Sequence, residues 1–213
     1  PIKSSAASDV YKRQQNNFAN STAFYYNGYK GRDFMKIIRD RENKVYTPKN
    51  RLLGNCFTVL TDNAAFYYEF VPNNAEALIL CDSLEYVEEV IQEFRFYNFH
   101  ITVFYNQDHT FYRSFDPVFT FKLPIKIIQP SQFFIDEEKL KVIEEYIQPE
   151  EIFIPVTIIH DEYVCLDGHT RLFYLYKNDC KMVNVYMDKP FPYIQDFISV
   201  SYTHLRAHET SLH

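Results

Sequence analysis

Val164-Cys-Leu-Asp-Gly-His-Thr-Arg-Leu-Phe-Tyr-Leu-Tyr176 is the stretch on which the reading of this chain turns. A short apolar run ends at Leu166, Asp167 to Arg171 interrupt it, and Leu172, Phe173, Leu175 and Tyr176 resume at helical spacing. That pattern predicts a strand, a tight turn and the start of a helix. Gly168 has no Cβ, so the backbone can turn sharply there and approach a ligand closely. The first N–H groups of the new helix lack intrahelical acceptors and stand at the positive end of its dipole. A phosphate-like anion is the expected guest. Arg171 adds a planar fork of donors and His169 a ring donor, so three kinds of phosphate ligand fall within five residues. The same residues also fit a structural role, with Asp167 as the helix cap and His169 and Arg171 as surface residues.

Asp167-Gly168-His169-Thr170-Arg171 resembles the phosphate-binding turn of the ParB/sulfiredoxin superfamily. That turn reads Gly-Cys-His-Arg in sulfiredoxins, Gly-Glu-Arg-Arg in ParB partition proteins and Asp-Gly-His-His-Arg in free-serine kinases. Upstream, Ile127-Ile-Gln-Pro-Ser-Gln-Phe-Phe-Ile-Asp-Glu-Glu-Lys-Leu140 is similar to the family's first box, which leads into its first helix. The likeness spans residues 123–190. It implies a ParB/sulfiredoxin-like α/β domain that holds a nucleotide (ATP, ADP or CTP) or a phosphorylated small molecule through Asp167, Gly168, His169, Thr170 and Arg171. Gln132, on the box-one loop, is implied to face the same pocket.

Three departures separate the family's activities. The Cys of Gly-Cys-His-Arg is absent, against sulfiredoxin chemistry. The Gly-Glu-Arg-Arg box and a following helix-turn-helix are missing, against a partition protein, and no cluster of acids supports a ParB-like nuclease. The first expectation is therefore a regulatory or sensing nucleotide-binding protein. The alternative is a small-molecule kinase using Mg²⁺, in which Asp167 could ligate the ion bridging the phosphates. That chemistry also needs a carboxylate to accept a hydroxyl proton, for which Asp136, Glu137 and Glu138 are the candidates. A DNA partition or nuclease protein is the second alternative.

The whole chain has 213 residues, with 22 Lys and Arg against 28 Asp and Glu, a formal charge of −6. Its 18 Tyr and 20 Phe against only four Gly argue for packed cores rather than disorder. Both ends, residues 1–14 and 199–213, lack usable periodicity, and the second holds three of the seven His. They resemble translated sequencing-adapter sequence, so the natural protein is expected to continue differently at each end. Without their four basic and two acidic residues the balance is 18 basic against 26 acidic, or −8. Nucleic-acid binding is driven by Lys and Arg neutralising phosphates, so this acidity disfavours a nucleic-acid partner. No apolar run approaches the ~18–20 residues of a membrane span and no signal-peptide pattern opens the chain. Four scattered cysteines fit small core residues in a reducing cytoplasm.

The expected organisation is a non-native tail (1–14), an accessory α/β domain with a small mixed sheet (15–122), the ParB/sulfiredoxin-like domain (123–190), and a truncated end plus tail (191–213). In the accessory domain, Phe34, Ile37 and Ile38 suggest a helical turn, with Lys36, Arg39 and Arg41 on its solvated face. Cys56–Leu60, Ala65–Val71 and Ala75–Cys81 read as a meander, and Asp82 as the start of a helix through Phe94. Asn98–Tyr105 reads as a strand containing a core histidine, His100. In the second domain the expected order is β–loop–α–β–β–turn–α–β: Ile125–Ile128 enters as a strand, Asp136 caps the helix Glu137–Ile147, Ile152–Ile159 and Tyr163–Leu166 form a hairpin through Asp161-Glu162, and Met182–Met187 closes as the last strand.

Overall fold

The computed structural model describes residues 35–131 and 135–190. Both terminal segments lie outside the described residues, as does Gln132. Within the described residues the fold is mixed α/β, with two sheets and several helices. The described residues divide into two compact units, one of residues 35–71, 78–97 and 105–112, the other of 72–77, 98–104, 113–131 and 135–190.

The six-stranded sheet follows chain order: β1 Met35–Arg39, β2 Cys56–Thr61, β3 Ala65–Asn73, β4 Glu76–Cys81, β5 Val103–Asn106 and β6 Tyr112–Ser114. β1 and β3 each pair antiparallel with β2. The expected helical turn at Phe34–Ile38 is instead strand β1, which pairs from Met35↔Thr61 to Arg39↔Phe57. Ile37 alone of its five residues is buried, as expected where one face of a strand meets the core. Lys36, Arg39 and Arg41 therefore do not share a helix face. A short helix, α1 Pro48–Leu52, opens with Pro in its first turn, where the missing N–H is harmless. Glu69 is buried because Thr47 N–H (3.1 Å), the Thr47 hydroxyl and Asn50 Nδ2 (2.7 Å) all donate to its carboxylate.

The helix foreseen from Asp82 begins only at Val87 (α2, Val87–Tyr97), and Leu84 is exposed. Asp82 and Glu85 thus precede the helix rather than cap it. Val87, Val90, Ile91 and Phe94 supply its buried stripe, with Phe94 stacked 4.1 Å from Phe70 and edge-on to Phe57. Asn98–Thr102 lie in a connection, so the strand expected from Asn98 starts at Val103.

The second sheet has order β7-β11-β9-β10-β8, from β7 Thr120–Pro124, β8 Ile128–Pro130, β9 Phe153–Ile159, β10 Glu162–Cys165 and β11 Met182–Met187. β10 pairs antiparallel with β9 and parallel with β8, and β11 pairs parallel with β9 and antiparallel with β7. Thr120–Lys122, assigned by sequence to the accessory domain, are part of this sheet. Ile125–Ile127 form a 3-10 turn rather than the expected strand, which starts at Ile128. The β9–β10 hairpin turns at His160 (φ 50°) and Asp161 (φ 65°), one residue before the expected Asp161-Glu162. Two consecutive left-handed residues suit the twist of the flanking strands. Helices α3 Glu137–Tyr146 and α4 His169–Lys177 contribute Ile143, Leu172 and Leu175 to a core with Ile154, Val156, Cys165, Val183 and Val185.

Candidate functional site

β10 delivers the chain to the turn, and α4 carries it away. Burial of Val164, Cys165 and Leu166 anchors one side, and burial of His169, Leu172 and Leu175 the other. Gly168 is the helix N-cap, at φ 80° and ψ 29° in the left-handed region, and has no side chain to cap with. Asp167 therefore stands one residue before the N-cap position that one reading of the sequence gave it. Its carboxylate lies 3.5 Å from Arg171 Nη2 and is more than half exposed. The first N–H groups of α4 stand at the positive end of its dipole, the feature that draws anions to helix ends.

Arg171 is held in place by three neighbours. Nη1 donates to the Phe153 carbonyl at 3.4 Å, Nη2 pairs with Asp167, and the guanidinium lies over Gly168. The side chain is about one quarter exposed, so its charge remains accessible from one side. Thr170 is part-exposed in the first turn of α4.

His169 is not on the surface. It is 8 % exposed, and its Nε2 accepts from the Ser131 backbone N–H at 3.2 Å, with Ser131 Oγ at 3.0 Å. Ser131 Oγ in turn donates to the Cys165 carbonyl at 2.7 Å. Burial pulls the His169 pKa down to about 4, against a raising effect from Asp167, with Arg171 lowering it and a hydrogen bond to the Cys165 backbone raising it. The ring is neutral at ordinary pH. A second histidine, His100, lies in the core as expected, but its stacking was not foreseen. His100, also buried, stacks on Phe153 at 4.6 Å and lies 5.0 Å from the Tyr186 ring. Burial, and secondarily the Arg171 charge, push its pKa down to about 3, and its Nδ1 has no partner. Only its place between aromatic residues in the sequence hinted at this stacking.

The box-one segment does meet the turn, but through Ser131. Parallel pairing sets Pro130 beside Cys165, and Ser131 then reaches both Cys165 and His169. Asp136 is a working N-cap for α3, accepting from the N–H groups of Glu138 and Lys139 at 3.1 Å each. Its second oxygen stands 3.8 Å from Lys139 Nζ. Glu137 and Glu138 are exposed in the first turn of that helix, where negative charge suits the dipole. Among the described residues no group of three or more His, Cys, Asp or Glu could hold a metal ion. A shallow cavity of about 340 Å³, lined by Lys126, Ile127, Gln129, Asp161, Glu162 and Tyr163, lies at the β8–β10 edge, and none of the residues of the turn lines it.

No family model and no curated protein matches this chain. Four chains of solved structures match, among them protein Atu1540 from Agrobacterium tumefaciens, at 16 % identity and a TM-score of 0.31. That match covers 42 % of this chain and half of the other. No helix among the described residues is long and apolar enough to cross a membrane.

Proposed function

We propose that the second unit is a ParB/sulfiredoxin-like domain that binds the phosphates of a nucleotide or phosphorylated small molecule at the start of α4, in a regulatory or sensing role. The observation that carries this reading is the helix start itself: Gly168 at the N-cap, in the left-handed region, with the Arg171 guanidinium alongside. A phosphate oxygen can accept from those N–H groups while the guanidinium neutralises its charge. The Arg171–Asp167 pair does not stand in the way. At 3.5 Å and largely exposed on the Asp167 side, it is worth roughly 0–1 kcal/mol. His169 drops out as a direct ligand, since its Nε2 is engaged by Ser131.

Isothermal titration of ATP, ADP and CTP, each with and without Mg²⁺, tests the reading. One saturable nucleotide site is expected. Arg171→Ala should weaken it by about tenfold to a hundredfold, since a charge-assisted hydrogen bond is worth roughly 1.5–3 kcal/mol. Arg171→Lys should recover little of the loss, because a point charge does not reproduce the fork. No nucleotide binding at all, or binding indifferent to Arg171, would sink the proposal. Turnover of ATP with a hydroxyl-bearing substrate would move the protein to the kinase class.

A further inference from the structure

Nε2 of His169 is occupied inside the protein. The Ser131 N–H points at Nε2, so Nε2 is the acceptor and the ring proton resides on Nδ1. Ser131 Oγ–H closes the set by donating to the Cys165 carbonyl, which has two lone pairs to offer. The result is a small closed network that ties the end of β8 to the turn after β10 and to the first residue of α4. Every one of its polar atoms sits in a part of the protein where an unmade hydrogen bond is costly.

We infer that His169 is a positioning residue: it latches the start of the box-one loop, at Ser131, against the phosphate turn, and does not itself touch the ligand. The inference deepens the proposed phosphate site and rests on it for its functional part. The latch fixes two segments that are 38 residues apart in the chain to the same end of the sheet. Among the described residues, pairing between β8 and β10 ends at Pro130↔Cys165. His169 continues that register by one residue through a side chain.

The amide isosteres separate positioning from ligation. In His169→Gln the side-chain amide reaches the Nε2 position and can accept from the Ser131 N–H. In His169→Asn it reaches only the Nδ1 position, so the Ser131 bond cannot form. Two readouts are taken on the full chain: hydrogen exchange of the Ser131 amide without ligand, and ATP affinity. The latch predicts Ser131 exchange faster by about tenfold in His169→Asn, with His169→Gln close to wild type, and ATP affinity following the same order. Ser131→Ala keeps the backbone donor and should lie between them. Unchanged Ser131 exchange in His169→Asn overturns the latch. Equal loss of ATP affinity in both variants, with Ser131 protection retained in His169→Gln, shows instead that the imidazole contacts the ligand. If wild type binds no ATP, the phosphate reading falls, and the exchange data alone decide the latch.

Discussion

The guanidinium of Arg171 occupies the space that a side chain at Gly168 would need: a Cβ there would stand 2.8 Å from both Nε and Nη2. Two demands therefore meet at one glycine. Its φ of 80° disfavours any L side chain, by roughly 1–2 kcal/mol. The Arg171 contact adds a steric demand that no backbone argument contains.

These two terms can be separated by mutation. Gly168→Ala should destabilise the protein by about 1–3 kcal/mol in urea unfolding. In an Arg171→Ala background the steric share disappears and only the backbone share of about 1–2 kcal/mol remains. Equal costs in the two backgrounds would mean that Arg171 simply moves aside. Gly168→Val should be worse than Ala in both, because a β-branched residue tolerates positive φ least.

Asp167 offers a test whose sign separates charge repulsion from the Mg²⁺ ligation expected in the kinase reading. Its carboxylate adjoins the proposed phosphate position, where a like charge repels the ligand. Asp167→Asn should therefore raise affinity for Mg²⁺-free ATP severalfold, by about 0.5–1 kcal/mol for an exposed charge. If Asp167 instead reaches the ligand through Mg²⁺, the same change should lower affinity for Mg-ATP. Titrations of the variant with and without Mg²⁺ give the two signs directly.

The buried histidines set a pH dependence. In the unfolded chain each titrates near 6.5, whereas burial holds His100 near 3 and His169 near 4 in the fold. The unfolded state then binds more protons between those values, so stability is full above about pH 6.5 and declines as pH falls toward 4. By pH 5 each histidine should cost about 2 kcal/mol relative to pH 7. His100→Phe can stack on Phe153 and Tyr186 without a titrating nitrogen, so the pH 7 to pH 5 loss should shrink by about that amount. Comparing the variant with wild type cancels the opposing contributions of Glu93 and Asp188, whose pKa values burial raises. An unchanged loss would place His100 in a solvated environment.

Asp136 should behave as a cap and not as a proton acceptor for chemistry. Asp136→Ala removes the acceptor of two N–H groups and should cost about 1 kcal/mol of stability. ATP affinity should stay within about twofold, and Asp136→Asn or Asp136→Ser should recover most of the stability. Substitution of exposed Glu137 or Glu138 by Gln should do little to either. A variant among these three that folds and binds ATP but loses a measured turnover would restore the kinase assignment.

What the sequence by itself determined is local. The strand–turn–helix at Val164–Tyr176, the Asp136 cap, the β9–β10 hairpin and strand Met182–Met187 all follow from periodicity and turn chemistry within a dozen residues. The same rules failed where the apolar signal was short or two-sided. Phe34, Ile37 and Ile38 have helical spacing, yet Met35–Arg39 is a strand because pairing with β2 satisfies its backbone. Asp82 and Glu85 have capping-box spacing, yet the helix waits for Val87, the first residue of its buried stripe. Tertiary structure alone decided the roles within the turn. Whether a His points to solvent or to the core depends on what lies across from it, and here that is Ser131, brought there by the parallel pairing of β8 with β10. Spacing placed His169 and Arg171 together. Packing turned one inward to hold a loop and left the other across Gly168, part-exposed and still charged.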